Sequence, residues 1–147
     1  MTATLKCGLM AAMAAMALWS GHVQAAAAPQ LTLQVRSGLS AGPVADGTLL
    51  AQGTVTSGDA HSGFWVWSEA TQNGAPQRYL LSGKGNRGNR ISVRLTGRGW
   101  QPDVAQGRGV VLMSSDYSAG FSVEADGAQT LPADTWSLQL QAVTLLP

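Results

Sequence analysis

Apolar and polar residues alternate one by one through Trp136-Ser-Leu138-Gln-Leu140-Gln-Ala142, and the sequence ends soon afterwards at Pro147. A period of two puts Trp136, Leu138, Leu140 and Ala142 on one face of a strand. The same pattern recurs through the chain. Leu31, Leu33 and Val35 oppose Thr32, Gln34 and Arg36, and Leu49, Ala51, Gly53 and Val55 repeat it. Ile91, Val93 and Leu95 alternate with Ser92, Arg94 and Thr96, as do Phe121, Val123 and Ala125 with Ser122 and Glu124. Turn signals separate these runs: Ser37-Gly38, Asp46-Gly47, Ser57-Gly58-Asp59, Asn73-Gly74, the Gly83 to Gly88 stretch and Asp126-Gly127. No helical period is sustained beyond residue 25, so the pattern predicts an all-β chain folded as a β-sandwich of immunoglobulin-like arrangement. A last strand without a successor leaves one edge unpaired, and such an edge accepts a strand from another chain. The pattern thus favours an assembly subunit. A complete sandwich whose last strand is simply an edge is the alternative.

The N-terminus reads as a secretory signal. Lys6 supplies the positive region, Cys7 to Trp19 is apolar but short for a membrane span, and His22-Val-Gln-Ala25 precedes further alanines. Cleavage is expected after Ala25, or as late as Ala27, giving residues 1–25 as signal and 26–147 as one domain; an uncleaved anchor is the alternative. Cys7 would leave with the signal, so the processed chain is expected to rely on its core or a partner rather than on disulfides.

Charge is uneven although the net charge is only +1. Arg78, Lys84, Arg87, Arg90, Arg94, Arg98 and Arg108 meet only Asp103 in that interval, whereas Asp116, Glu124, Asp126 and Asp134 follow with no base. A basic face could attract an acidic glycan, surface or protein; solvated strand faces are the plainer reading.

Enzyme chemistry finds little support. His61 is the one histidine beyond the signal, too few for a typical zinc site, and no Gly-x-Ser-x-Gly marks a nucleophile. Gly83-Lys-Gly-Asn-Arg-Gly-Asn-Arg90 reads as a mobile hairpin loop, not a phosphate cradle, because no helix follows it. No catalytic residue, metal or cofactor is expected, and no nucleic-acid partner. Trp65 and Trp67 share one strand face opposite Phe64 and Val66. Burial between two packed layers is the expected fate of both, with a sugar-stacking or protein-binding platform as the alternative. Trp100 is expected to plug one end of the sandwich.

Taken together, Ala60-His-Ser-Gly-Phe64, Val66-Trp67, Arg78-Tyr79-Leu80, Gly97-x-Gly99-Trp100, Gly107-x-Gly109-Val110 and Ala125-Asp-Gly127-x-Gln129 resemble the AfaD/SafD family of invasin or tip subunits of fimbrial and afimbrial adhesins. The resemblance spans nearly all of the processed chain. It implies an incomplete immunoglobulin-like domain lacking its final strand, which a periplasmic chaperone and then a neighbouring subunit supply by donor-strand complementation. It also implies an outer-membrane usher, a host-cell surface receptor of protein or glycan type, and export through the periplasm to the cell surface. Two departures stand out. The family's cysteine pair between its second and last strands has no counterpart in Thr54-Val55-Thr56 or Ala142-Val143-Thr144, and Trp65 replaces a polar residue. Arg87-Gly88-Asn89 only approximates Arg-Gly-Asp, so no integrin specificity is carried over.

On this reading the donor-strand groove is floored by Leu31, Leu33, Val35, Leu138, Leu140 and Ala142, and Trp65, Arg87, Arg90 and Arg94 are candidates for a receptor surface. Alternation begins at Leu31, a few residues after the cleavage region, so the processed chain is expected to accept a strand and donate none, as a distal tip would. The competing class is a freestanding secreted carbohydrate-binding module that uses Trp65 and Trp67.

Overall fold

The computed structural model describes residues 2–6 and 28–147. The described residues form strands and turns without a helix: β1 Thr2–Lys6, β2 Gln30–Val35, β3 Gly42–Val44, β4 Leu49–Thr56, β5 Gly63–Ser68, β6 Thr71–Gln72, β7 Arg78–Ser82, β8 Arg90–Thr96, β9 Gln101–Pro102, β10 Val110–Met113, β11 Ser118–Ala125, β12 Gln129–Leu131 and β13 Thr135–Leu145. One sheet has the order β1-β13-β5-β10-β9 and the other β2-β4-β11-β8-β7-β6, with a small β12-β3 ribbon beside them. All pairings are antiparallel.

The alternation read from the sequence becomes the inner faces of the two sheets. Leu31, Leu33 and Val35 of β2, Ile91, Val93 and Leu95 of β8, and Phe121, Val123 and Ala125 of β11 are buried, and they meet Phe64 and Val66 of β5 and Trp136, Leu138 and Leu140 of β13 in one core. Burying each large side chain contributes about 1.5–3 kcal/mol. Trp100 belongs to this core as well, edge-on to Phe121 at 5.8 Å, with its indole N–H donating to the Gly120 carbonyl at 2.8 Å. Gly53 lets Phe121 lie flat on β4, since a Cβ there would enter the ring.

The alternation fails once. Leu49 was expected to begin the inward series of β4, yet it is half-buried while Leu50 is 1% exposed. Glu124 pairs with Leu49 and Val123 with Ala51, so Leu50 is the extra residue of a β-bulge. The inserted residue shifts the pleat by one and turns Leu50 inward.

The N-terminus contributes a further strand. Thr2–Lys6, assigned from sequence to the front of a signal, is a strand on the edge of β13. Its Thr-Ala-Thr-Leu-Lys alternation suits an edge position. The apolar run from Cys7 and the cleavage region through Ala27 lie outside the described residues.

One polar contact ties the two sheets through the core. The Tyr79 hydroxyl, on β7, accepts the Ser68 backbone N–H of β5 at 3.2 Å, and burial holds the phenol above its ordinary pKa. Tyr79→Phe removes the acceptor without changing the ring and leaves the Ser68 N–H unsatisfied. We expect a loss of about 1–3 kcal/mol in denaturant unfolding; an unchanged midpoint would show that water replaces the hydroxyl.

Candidate strand-accepting groove

The residues expected from the sequence to floor a groove lie on β2 and β13, which belong to different sheets. β2 ends the six-stranded sheet and pairs with β4 alone among the described strands. β13 pairs on one edge with β5 through Leu140–Leu145. Its other edge pairs with β1 over Thr135–Gln139, with Thr2 opposite Gln139 and Lys6 opposite Thr135. Beyond Gln139 that edge meets no strand among the described residues. All six residues assigned to the floor are buried: Leu31, Leu33 and Val35 from β2, and Leu138, Leu140 and Ala142 from β13. The structure therefore brings them together, and Thr2–Lys6 shows that the edge takes an antiparallel strand.

The four candidates for a receptor surface do not come together. Trp65 lies on the outer face of the five-stranded sheet, Arg94 on the six-stranded sheet, and Arg87 and Arg90 at the β7–β8 turn. Each has a different environment.

Trp67 is buried, as the sequence favoured, whereas Trp65 is only half-buried, and no second layer covers them among the described residues. Their rings sit 4.2 Å apart, and the Arg108 guanidinium lies 4.9 Å from the Trp67 ring and 5.5 Å from the Trp65 ring. The indole N–H of Trp65 donates to the Arg108 carbonyl at 2.9 Å, and that of Trp67 to Glu69 Oε1 at 3.1 Å. Arg108 Nη1 also reaches Glu69 Oε1 at 3.6 Å. A cation over two indoles is favourable and shields apolar area from water. Stacking a sugar on Trp67 would require displacing Arg108. Neither Arg108 nor Glu69 was selected from sequence as a partner of the tryptophans, because their approach depends on the turn at Gly109.

Arg94 is neutralised. Its Nη2 donates to Glu124 Oε1 at 3.0 Å, and its Nη1 to Asp46 Oδ1 at 2.8 Å and Asp126 Oδ1 at 3.3 Å. Arg78 Nε approaches Asp126 Oδ2 at 3.6 Å. The Asp46 carboxyl is held below its usual pKa by the Gly127 N–H and then by Arg94. Folding thus lays the acidic C-terminal segment against the basic middle one, and the imbalance seen along the sequence largely cancels on this sheet.

The β7–β8 loop keeps its charge. Lys84, Arg87 and Arg90 are exposed and form no ion pair among the described residues. Although the sequence suggested a mobile hairpin loop, this one is braced: Asp134 accepts N–H bonds from Gly85 at 2.7 Å and Asn86 at 3.0 Å, and one from Asn89 Nδ2 at 3.0 Å. With the Thr135 N–H, these donors lower the Asp134 pKa from 3.8 to about 2. Because the folded value lies below the unfolded one, the brace is complete above pH 4 and is lost as pH falls through about 2. Protection of the Gly85 and Asn86 amides relative to their intrinsic exchange should fall across that window, and Asp134→Asn should show low protection already at neutral pH. Equal protection in both proteins would mean the carboxylate does not hold the loop.

His61 is buried, with its ring nitrogens 2.6 and 2.8 Å from the Asp59 and Asp116 carbonyl oxygens. It joins two loops and faces no nucleophile. No group of three or more His, Cys, Asp or Glu side chains is placed to hold a metal ion among the described residues. No helix among them is long and apolar enough to cross a membrane.

The fold has counterparts in known proteins. The family described as Enterobacteria AfaD invasin protein matches residues 40–142. Protein AfaD of Escherichia coli is 31% identical over 143 residues, covering 96% of this chain and 90% of that protein. The crystal structure of the Salmonella SafD adhesin superimposes with a TM-score of 0.79 at 47% identity, covering 82% of this chain and 86% of that one. The E. coli Hda pilus minor tip subunit, HdaB, superimposes with a TM-score of 0.76 at 25% identity, covering 82% and 85%. With the family model matched over residues 40–142 and the fold shared with these adhesin subunits, this chain belongs to the AfaD invasin family of adhesin subunits.

Proposed function

We propose that the chain is a non-enzymatic minor subunit at the tip of a chaperone–usher fimbrial or afimbrial adhesin, where it mediates attachment to host cells or their invasion. The single observation that carries this reading is the open edge of β13, which already takes Thr2–Lys6 as an antiparallel partner above a floor of buried leucines. Once residues 1–25 are removed as a signal, that edge and the side chains beneath it return to solvent. A periplasmic chaperone then covers them, the outer-membrane usher passes the subunit on, and a neighbouring subunit supplies the permanent strand. Exposed edges that pair with a donated strand gain main-chain hydrogen bonds, while alternate side chains fill the groove. Strand alternation starts again only at Leu31, so the processed chain has little to donate. The tip assignment rests on this asymmetry.

The test is co-expression with a periplasmic chaperone of the chaperone–usher type. A stable one-to-one complex, with little soluble chain when the chaperone is omitted, is the expected result. A processed chain that is soluble, monomeric and indifferent to the chaperone would overturn the proposal.

A further inference from the structure

The first residues of β13 have backbone neighbours on both edges. On one, Lys6 of β1 lies opposite Thr135. On the other, Gly83 bridges Trp136 and the Lys84 N–H donates to the Thr135 carbonyl at 2.9 Å. A strand seated antiparallel to β13, as β1 is, must leave the groove at Thr135. It therefore emerges two strand spacings, about 10 Å, from the backbone of Lys84.

The loop at that exit is both hydrogen-bonded and charged. Besides the Asp134 brace, the Gly83 N–H donates to the Asn89 carbonyl at 2.9 Å and the Gly88 N–H to Asn86 Oδ1 at 2.8 Å. Lys84, Arg87 and Arg90 project from this frame, and Ser82, Gly83, Lys84 and Arg87 line a shallow depression of about 520 Å³. Arg78, Arg94 and Arg108 each meet a carboxylate elsewhere on the fold. At this loop the one carboxylate is Asp134, whose oxygens are taken up by loop N–H groups. Three cations held next to a chain exit, with no ion-pair partner among the described residues, form a complementary surface for carboxylates on whatever chain leaves there.

We propose that the Gly83–Arg90 loop is a second contact for the strand-donating subunit, binding Asp or Glu residues immediately C-terminal to the donated strand. Lys84, Arg87 and Arg90 thus recognise the donor, at the base of this subunit, rather than a host receptor. The inference rests on the donor-strand reading and deepens it: apolar alternation provides the affinity of the groove, and the loop selects donors whose next residues are acidic.

The experiment uses the processed chain refolded in the presence of synthetic peptides. Each carries an alternating strand complementary to β13, followed at its C-terminus by three Glu, three Ser or three Lys residues. A fourth peptide carries the three Glu residues at its N-terminus, which lies at the opposite end of the groove. The C-terminal Glu peptide should bind about tenfold more tightly than the Ser peptide, as two or three exposed ion pairs would give. The gain should shrink as salt is raised from about 20 to 300 mM, and the N-terminal Glu peptide should match the Ser peptide. Lys84→Ser/Arg87→Ser/Arg90→Ser should abolish the Glu preference while retaining Ser-peptide binding. Equal binding of the Glu, Ser and Lys peptides would overturn the loop's role with the donor-strand reading intact. Binding of none would overturn both. Equal peptide binding together with heparin binding that the triple variant loses would assign the loop to an anionic glycan and likewise overturn the proposal.

Discussion

A processed chain that carries its own donor strand is expected to melt about 15 °C or more above the chain without one. The antiparallel seating of β1 dictates the design: β13 ends at Leu145, and a strand returning through a tight Asn-Gly turn after Pro147 runs back towards Thr135. β13 has 11 residues, whereas Thr2–Lys6 covers only its first five, so a full-length strand pairs with edge that β1 leaves open. Three large apolar side chains directed into the groove contribute about 1.5–3 kcal/mol each. Ordering the added residues opposes this, and the new main-chain hydrogen bonds along β13 offset most of that cost. A net gain of about 4 kcal/mol raises Tm by about 15 °C or more for a domain of this size. The control is the same fusion with serine at the inward positions, which keeps the backbone partner and removes the apolar burial. If fused, serine-substituted and unfused chains melt together as monomers, the groove is not an incomplete core.

Gly109→Ala is expected to cost about 2–5 kcal/mol, from left-handed backbone strain and overpacking together. Gly109 has φ +76°, and a Cβ there would meet the Val66 carbonyl and Trp67. Its N–H donates to the Pro76 carbonyl at 2.8 Å, and its own carbonyl accepts the Asp103 N–H at 2.9 Å, so the backbone is held from both sides. Gly107 supplies an internal control. It has the same φ of +76° but nothing within 4 Å of an added Cβ, so Gly107→Ala should cost only the backbone strain, about 1–2 kcal/mol. Thermal unfolding of the pair separates strain from crowding. Tryptophan emission adds a local reading, because moving Gly109 moves Arg108 off the Trp65–Trp67 pair. Equal losses in the two variants would show that the approach to β5 is unimportant.

Much of the core was legible because burial in a sandwich follows period two, and a period is a local property. The inward facing of Leu31, Leu33, Val35, Leu138, Leu140 and Ala142 could be named from their spacing, while a groove above them is what the family resemblance implied. Leu49 was misplaced because a bulge inserts one residue into one partner of a pair, and its signature lies in the register with β11 rather than in β4. The surface was harder to read. Arg94 belonged to a basic run in sequence, but its charge is cancelled by Asp46, Glu124 and Asp126, which strand pairing brings from distant positions. The tryptophan pair was expected to be buried by a second layer, and a single arginine from a following turn covers it instead.

The sequence by itself determined that this chain is all-β, that β2 and β13 present apolar faces, and that its motifs match one family. These features depend on side-chain alternation and turn residues, which act over a few neighbours. Only the tertiary structure decided which edge stays open, in which direction a partner strand runs, and which cations remain without a counter-charge. Those outcomes depend on the register and pairing of strands far apart in the chain, where a shift of one residue turns a side chain from core to solvent.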